Sequence, residues 1–227
     1  NNVAVGKSAL EANTTGTRHT AVGKSALATN TEAIRNTAIG YQALTANTTG
    51  AQNTAVGDIS MYTNTTGADN TAIGGSALGA NTTGSNNVAV GRLSLDANTT
   101  ADNNTAVGYD SLGANTTGHS NTAVGKRALF TNATSNNNTA IGYLALEANT
   151  TGGNTAVGGQ ALQANSTGEA NVAVGQAALI ANTTGSTNLA LGNNAATANT
   201  TGTRNIAIGH AAYDASDTEN DNLAIGY

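Results

Sequence analysis

Side chains able to bind a metal or transfer a proton are few and far apart. The chain has three His residues, His19, His119 and His210, and no Cys. Metal sites and acid–base pairs need unlike groups that converge, whereas these His residues lie many repeats from one another. The sequence therefore predicts no catalytic residue, no metal site and no cofactor, and so a protein that is not an enzyme.

Aromatic residues are the other side chains that could make a functional contact. Tyr41, Tyr109 and Tyr143 fall at variable positions of the repeat, where they could meet a host-surface receptor or a glycan. Scattered exposed aromatics are also common without any function. Both interpretations stay open, and Tyr41, Tyr109 and Tyr143 are the candidate surface-contact residues.

The charge balance argues against two classes of partner. Eight Lys and Arg residues are scattered among thirteen Asp and Glu residues, giving a formal net charge of -5, so no basic patch predicts nucleic-acid binding. No apolar run approaches the roughly 18 residues needed to cross a bilayer. We therefore predict neither nucleic-acid binding nor membrane insertion for this segment.

A repeat of about seventeen residues organises the whole chain. Its unit is Asn36-Thr37-Ala38-Ile39-Gly40, which returns in fourteen versions, with the interval once shortened to sixteen residues. Fixed periods in this range are typical of solenoids. The repeat glycines are Gly6, Gly23, Gly40, Gly57, Gly74, Gly91, Gly108, Gly125, Gly142, Gly158, Gly175, Gly192, Gly209 and Gly226.

Each repeat is read as one coil of a parallel β-solenoid. Counting Thr37 as position 1, a β-branched stretch ends in Gly at position 4, which predicts a short strand closed by a turn. A second apolar element, Ala43-Leu44, occupies positions 7 and 8 and predicts a second short strand. Thr-Thr-Gly at positions 12 to 14 predicts a turn in which Gly supplies positive φ. A helix around positions 5 to 9 is the alternative, but it would be too short to be stable.

Charged residues occur only at positions 5, 6, 9 and 12 to 16 of the coil. Ionised groups are seldom buried without partners, so the uncharged positions 1 to 4 predict that both sides of the strand are covered. Val or Ile at position 3 suits the coil interior, and Ala at position 2 suits close approach by another chain, although the reverse orientation stays open. The predicted oligomer face is Ala38, Ala55, Ala72, Ala106 and Ala123.

Two columns of Asn run along the coils. One closes each coil, as at Asn36, Asn53 and Asn70, and the other lies at position 11, as at Asn47, Asn64 and Asn81, with Ser216 in its place in one coil. Stacked amides can donate to and accept from their neighbours, so both columns are predicted structural ladders. Triplets such as Asn13-Thr14-Thr15 and Asn115-Thr116-Thr117 also match N-glycosylation acceptors, but a turn is favoured because a glycan on every coil would be crowded.

The segment Asn36 to Leu44 resembles known fibre repeats. It is similar to the Asn-Ser-Val-Ala-Ile-Gly head repeats of YadA-like trimeric autotransporter adhesins, and to the Asn-Thr-Ala-Val-Gly-Tyr-Gln-Ala-Leu repeats of phage tail fibres and bacterial surface proteins. The resemblance covers the whole chain and implies a left-handed β-roll, three of which pack side by side as a homotrimer. The longer coil, and the lack of a neck, stalk or anchor in this sequence, depart from the adhesin pattern.

These observations together predict an all-β chain, with residues 1–227 forming one repetitive solenoid rod of about fourteen coils. We expect a piece of a longer array, located outside the cell, on its surface or on a virion tail. The predicted function is that of a structural rod or head module of an extracellular fibre or adhesin that mediates attachment. A phage tail fibre shaft and an ice-binding solenoid, using the Thr column of Asn-Thr-Thr, are the alternatives.

Overall fold

The computed structural model describes residues 1–215 and 217–227. Ser216, the departure from Asn at position 11, lies outside the described residues. The chain divides into two compact units, Asn1–Thr117 and Gly118–Tyr227. No helix occurs in the described residues, so the helical alternative for positions 5 to 9 is excluded.

The first unit is a stack of coils, each of which contributes one three-residue strand. Consecutive strands pair in parallel and in register, so that Thr37 lies beside Thr54 and Ala38 beside Ala55. Residues one repeat apart therefore form columns across the coils. The strands are β1 (Val3–Val5), β2 (Thr20–Val22), β3 (Thr37–Ile39), β4 (Thr54–Val56), β5 (Thr71–Ile73), β6 (Val88–Val90) and β7 (Thr105–Val107).

The second unit repeats this architecture. Its strands also pair in parallel, each with the next, and Thr155 keeps its register beside Thr139 even though this coil is one residue shorter. The predicted parallel β-solenoid is confirmed. The strands are β8 (Thr122–Val124), β9 (Thr139–Ile141), β10 (Thr155–Val157), β11 (Val172–Val174), β12 (Leu189–Leu191), β13 (Ile206–Ile208) and β14 (Leu223–Ile225).

The second predicted strand of the coil is wrong. Positions 5 to 10 form a run of turns, because positions 6 and 8 adopt left-handed backbone, as at Gln42 (φ 51) and Leu44 (φ 52). The run still bonds to its neighbours, with Leu27 N donating to Ala43 O at 3.0 Å and Leu44 N donating to Ser60 O at 2.9 Å. Left-handed backbone costs a non-Gly residue roughly 1–2 kcal/mol, which burial of the Leu side chain, worth about 1.5–3 kcal/mol, offsets.

The position of positive φ in the Thr-Thr-Gly turn also differs from the prediction. The left-handed residue lies at position 16, as at Gln52 (φ 60) and Asp69 (φ 58). Gly50, at position 14, is required because a side chain would collide with the next coil: a Cβ there would lie 2.3 Å from Gly67 O. The small residue at position 14 therefore permits close packing between coils.

The interior of a coil is thin and is filled by small residues and amides. In the third coil the completely buried side chains are those of Ala38, Ala43, Leu44 and Asn47, and Asn36, which precedes the strand, is buried as well. Leu at position 8 is thus the one large side chain in that interior. The space between this Leu and the strand is filled by the methyl group of the position 2 Ala, Ala38 in this coil.

Candidate functional site

The outward residues of the strands form a regular surface on each unit. Side chains alternate along a strand, and Ala at position 2 is completely buried in β2–β13, so the side chains of positions 1 and 3 point outward. In β3, Thr37 is half-buried and Ile39 is 40% exposed. We call the residues at positions 1 and 3 of β1–β7, and likewise those of β8–β14, the strand face of that unit.

The predicted oligomer face must be corrected. Ala38, Ala55, Ala72, Ala106 and Ala123 are each 0% exposed in the single chain, so their methyl groups line the coil interior and cannot meet another chain. The orientation observed is the reverse one. Because Leu and the Asn columns already occupy most of the interior, the larger β-branched residues of positions 1 and 3 are left outside.

Glycine at position 4 holds the strand face in place. Gly40 has φ +140, in a region that L side chains rarely adopt, and a Cβ there would lie 2.3 Å from Gly57 O. The chain turns at this glycine out of the strand and into the run of turns. Each strand therefore ends at the same column, which aligns the outward residues of successive coils.

The chemical character of the strand face changes along the chain. In β2–β5, position 1 is Thr, so each coil presents one hydroxyl-bearing and one aliphatic side chain. In β11–β14 both outward residues are aliphatic, which leaves an apolar patch on the second unit. These residues are Val172, Val174, Leu189, Leu191, Ile206, Ile208, Leu223 and Ile225.

The Asn column at position 11 forms a continuous amide ladder in the first unit. Nδ2 of Asn47 donates to Oδ1 of Asn30 at 3.1 Å, Asn64 donates to Asn47 at 2.9 Å, and Asn81 donates to Asn64 at 2.7 Å. The amides of Asn47, Asn64 and Asn81 also donate to the position 14 carbonyl of their own coil, as from Asn47 to Gly50 O at 2.9 Å. These Asn side chains hold the turn and tie neighbouring coils together.

The closing Asn column uses backbone donors, which in some coils are joined by an amide donor, as from Nδ2 of Asn70 to Oδ1 of Asn53 at 3.2 Å. Oδ1 of Asn36 accepts from the backbone N of Asn53 at 2.8 Å, and Oδ1 of Asn53 accepts from the backbone N of Asn70 at 3.0 Å. Nδ2 of Asn36 and of Asn53 donates to the Gly50 and Gly67 carbonyls at 2.8 Å. Nδ2 is also the atom that N-glycosylation would modify, and in the Asn-x-Thr column at position 11 it is hydrogen-bonded and buried at Asn47, Asn64 and Asn81.

Of the two Thr columns in the Asn-Thr-Thr segment considered for ice binding, the first, at position 12, has its hydroxyls engaged, whereas Thr49 and Thr66 of the second are exposed. Oγ1 of Thr48 donates to Thr65 O at 3.1 Å, and the hydroxyls of Thr65 and Thr82 each donate to the next coil at 3.0 Å. These hydroxyls belong to the internal hydrogen-bonding pattern of the coils. They are poorly placed to order water on a surface.

The candidate contact tyrosines lie at position 5 and are exposed. Tyr41, Tyr109 and Tyr143 are 45%, 42% and 52% exposed. A cation from the preceding coil lies near each ring, with Lys24 Nζ 5.5 Å from the Tyr41 centroid, Arg92 Cζ 6.0 Å from Tyr109 and Lys126 Nζ 6.0 Å from Tyr143. The distances are within the range of cation–π attraction, so the rings have contacts within the chain while keeping exposed edges.

The three His residues do not converge within either unit. His19 is 2% exposed and takes the place of a closing Asn, His119 is half-buried, and His210 is exposed with its ring stacked 5.2 Å from Tyr227. In the described part of the chain no group of three or more His, Cys, Asp or Glu residues could hold a metal ion. No helix of residues 1–215 and 217–227 is long and apolar enough to cross a membrane.

His19 reproduces the hydrogen bonds of the Asn it replaces. Its Nδ1 accepts from the backbone N of Asn36 at 3.2 Å, so in the neutral ring the proton is on Nε2, which lies 2.8 Å from Ala33 O. Burial lowers the pKa of His19, and two backbone hydrogen bonds partly oppose that shift. A neutral imidazole is therefore part of the ladder, which gives this His a structural role.

Together, fold and surface define the class of protein as an all-β, parallel β-solenoid repeat protein. A scan against protein-family models found no match, and neither did searches of curated proteins and of solved structures. The functional interpretation thus depends on the chain's own residues.

The outward orientation of positions 1 and 3 was only the open alternative in the sequence, because positions 1 to 4 are equally free of charge. A second surface was missed. It is a groove at position 9, where Gly79 lies between Tyr62 and Asp96. Its sign in the sequence was Gly79, which has no side chain, between an aromatic residue and a carboxylate at a position that otherwise varies freely.

Proposed function

We propose that this chain is a structural, non-enzymatic module of an extracellular or virion fibre, assembled from parallel copies of itself, that extends and attaches the structure carrying it. The observation that supports this is the strand face, which presents at least one aliphatic Val, Ile or Leu side chain in every coil of both units. An exposed, contiguous apolar surface is unusual for a solitary soluble chain and marks a contact site. Copies in the same register would present matching rows to one another.

The apolar patch of β11–β14 supports self-association in particular. Val174 and Ile206 are 39% and 38% exposed, and aliphatic side chains of this kind gain about 25 cal/mol for each Å² removed from water. The fibre repeats that this sequence resembles assemble as trimers, so a left-handed homotrimer is the form we propose. Adhesins and tail fibres share this arrangement, and an outer-membrane anchor or a tail-attachment domain in the flanking gene sequence would distinguish them.

Light scattering of the purified chain tests the proposal. We expect three times the monomer mass of 22.2 kDa, and we expect the double variant Leu189→Glu and Ile206→Glu to run as a monomer, because two carboxylates per copy would have to be buried at the contact. Ile34→Glu is the matched control, since Ile34 is an exposed aliphatic residue at 37% but lies outside the strand face. A folded wild-type monomer would rule out assembly through this face.

Ice binding is a second candidate, favoured by a different part of the same face. In β2–β5 the strand face alternates a Thr and an aliphatic residue in register from coil to coil, which gives evenly spaced hydroxyl and methyl groups. The aliphatic pairs of β11–β14 lack those hydroxyls, so we rank this candidate second. Thermal hysteresis or faceted ice crystals in a solution of the chain would support it, and ordinary freezing would exclude it.

A further inference from the structure

A groove in the first unit departs from the repeat in a way that suggests a ligand. At position 9, three successive coils carry Tyr62, Gly79 and Asp96, so a ring and a carboxylate flank a position without a side chain. The cavity has a volume of about 400 Å³, which is within the range of small-molecule sites. We call it the Tyr62–Asp96 groove.

Hydrogen bonds fix the three coils that form the groove. Thr63 N donates to Gly79 O at 3.2 Å, the Thr63 hydroxyl donates to the same oxygen at 2.9 Å, and Ala80 N donates to Asp96 O at 3.0 Å. Coils bonded in this way stack at about 4.8 Å, so the Tyr62 and Asp96 backbones lie about 10 Å apart. Because Gly79 between them has no side chain, the gap between the Tyr62 and Asp96 side chains has room for one flat ring.

The walls of the groove differ in chemistry. Tyr62 is 40% exposed and offers an aromatic surface, and the methyl groups of Ala80 and Ala97, with the aliphatic chain of Ile59, provide an apolar lining. Asp96 is half-buried, and the structure shows no hydrogen bond to its carboxylate within the described residues. An apolar lining with one or two polar groups that set orientation is typical of ligand sites.

We propose that the Tyr62–Asp96 groove binds a single neutral sugar ring, such as a hexose or an N-acetylhexosamine unit of a glycan. The C–H face of a pyranose would stack on Tyr62, and its hydroxyl groups would donate to the Asp96 carboxylate. Acidic sugars fit poorly because Asp110 adds a second negative charge near Asp96. An ammonium ligand would use the carboxylate but not the apolar lining, and aromatic cages for such ligands surround the cation with rings.

Gly79 supplies the best probe of this site. Other coils carry side chains such as Thr45 and Gln163 at position 9. A Cβ on Gly79 would come closest, at 2.7 Å, to Oδ1 of Asp96, the mobile end of a side chain. Gly79→Gln should therefore fill the groove without disturbing the fold. Ala28→Gln is the matched control, because Ala28 holds the same position in a coil that does not contribute to the groove.

The experiment is saturation-transfer NMR and calorimetry of the full chain with methyl glycosides of glucose, galactose, mannose and N-acetylglucosamine, and with glucuronate and choline. We expect at least one neutral glycoside to bind with a Kd on the order of 1 mM, which is a weak affinity. Gly79→Gln and Tyr62→Ala should each weaken binding by about tenfold or more, and Ala28→Gln should leave it unchanged. Asp96→Asn, which keeps the shape, should weaken binding as well.

Several results would overturn the proposal. These are no saturation transfer from any neutral glycoside at roughly 10 mM, equal binding by Gly79→Gln and wild type, or binding of choline or glucuronate alone. The inference gives the attachment part of the proposed function a ligand class and rests on it in that sense. The two proposals can fail separately. A monomer that binds the glycoside would refute only the proposed assembly, whereas a trimer that binds no glycoside would refute only the proposed sugar binding by the groove.

Discussion

A buried His in the position of a ladder Asn makes part of the first unit sensitive to acid. Folding holds the His19 ring neutral, because burial lowers its pKa and because Nδ1 already accepts a hydrogen bond from Asn36 N. An unfolded His titrates near pH 6.5. The contribution of His19 to stability is therefore complete above about pH 6.5 and is lost as the pH falls below it, since the unfolded chain then binds the extra proton.

His19→Asn should remove that pH dependence. Asn restores an acceptor for the Asn36 backbone and a donor for the Ala33 carbonyl without a titrating group. We expect the free energy of unfolding of the wild type, measured in urea, to fall between pH 7.5 and 5. This group accounts for at most about 1.4 kcal/mol per pH unit of that fall, and the variant should show a smaller change. His210→Asn, at an exposed His, should behave like wild type. Parallel wild-type and His19→Asn profiles would contradict the structural role of the neutral ring.

The strand and its closing glycine show what the sequence could and could not predict about the elements. The period, the strand and the Asn columns follow from the spacing of Gly, Ala and Asn, since each must lie above its copy in the next coil. Which side of the strand faces the coil interior did not follow, because positions 1 to 4 carry no charge on either side. Size misled the prediction: Val was assigned to the interior, but Leu44 and Asn47 leave room there for a methyl alone.

The run of turns was also out of reach of sequence reasoning. Positions 6 and 8 adopt left-handed backbone mostly with residues such as Ser, Gln or Leu, which have no preference for it, so propensity gives no indication. Packing imposes the conformation, because it directs the Leu of position 8 into the coil while keeping the hydrogen bonds between coils. The groove at Gly79 was missed for the related reason that position 9 varies in every coil and looked like ordinary surface.

Glycine at position 4 should be the least replaceable residue of the element. Gly57 has φ +137, and a Cβ there would lie 2.6 Å from Gly74 O. Gly57→Ala should therefore lower the free energy of unfolding by about 2–4 kcal/mol, from backbone strain of about 1–3 kcal/mol plus the clash with the next coil. The measurement is urea unfolding followed by circular dichroism.

Gly75 is the matched control for Gly57, because it lies in the following coil at position 5, has no strained φ, and would place a Cβ 3.9 Å from the nearest atom, Asp58 O. Gly75→Ala should be neutral or slightly stabilising, since Ala reduces the freedom of the unfolded chain. Equal loss in the two variants would mean that the turn at position 4 does not depend on glycine.

At the scale of the molecule, self-association and folding stability should be linked. A chain that buries its strand face only in an oligomer is stabilised by mass action, so its melting temperature depends on protein concentration. We expect the wild-type melting temperature to rise by several degrees between about 1 and 100 μM chain, because an oligomer that dissociates on unfolding gains stability with each increase in concentration. A single-chain solenoid would melt at one temperature throughout that range.

The strand-face variants show which surface is responsible for that dependence. Leu189→Glu with Ile206→Glu should abolish the concentration dependence and lower the melting temperature to the dilute-limit value, whereas Ile34→Glu should preserve the wild-type slope. Differential scanning calorimetry at three concentrations makes the comparison. If the slope persists in the double variant, copies associate through some surface other than the strand face; if wild type shows no slope, the outward Val, Ile and Leu rows face water, and the Thr-bearing coils of β2–β5 become the part of the face to test against ice.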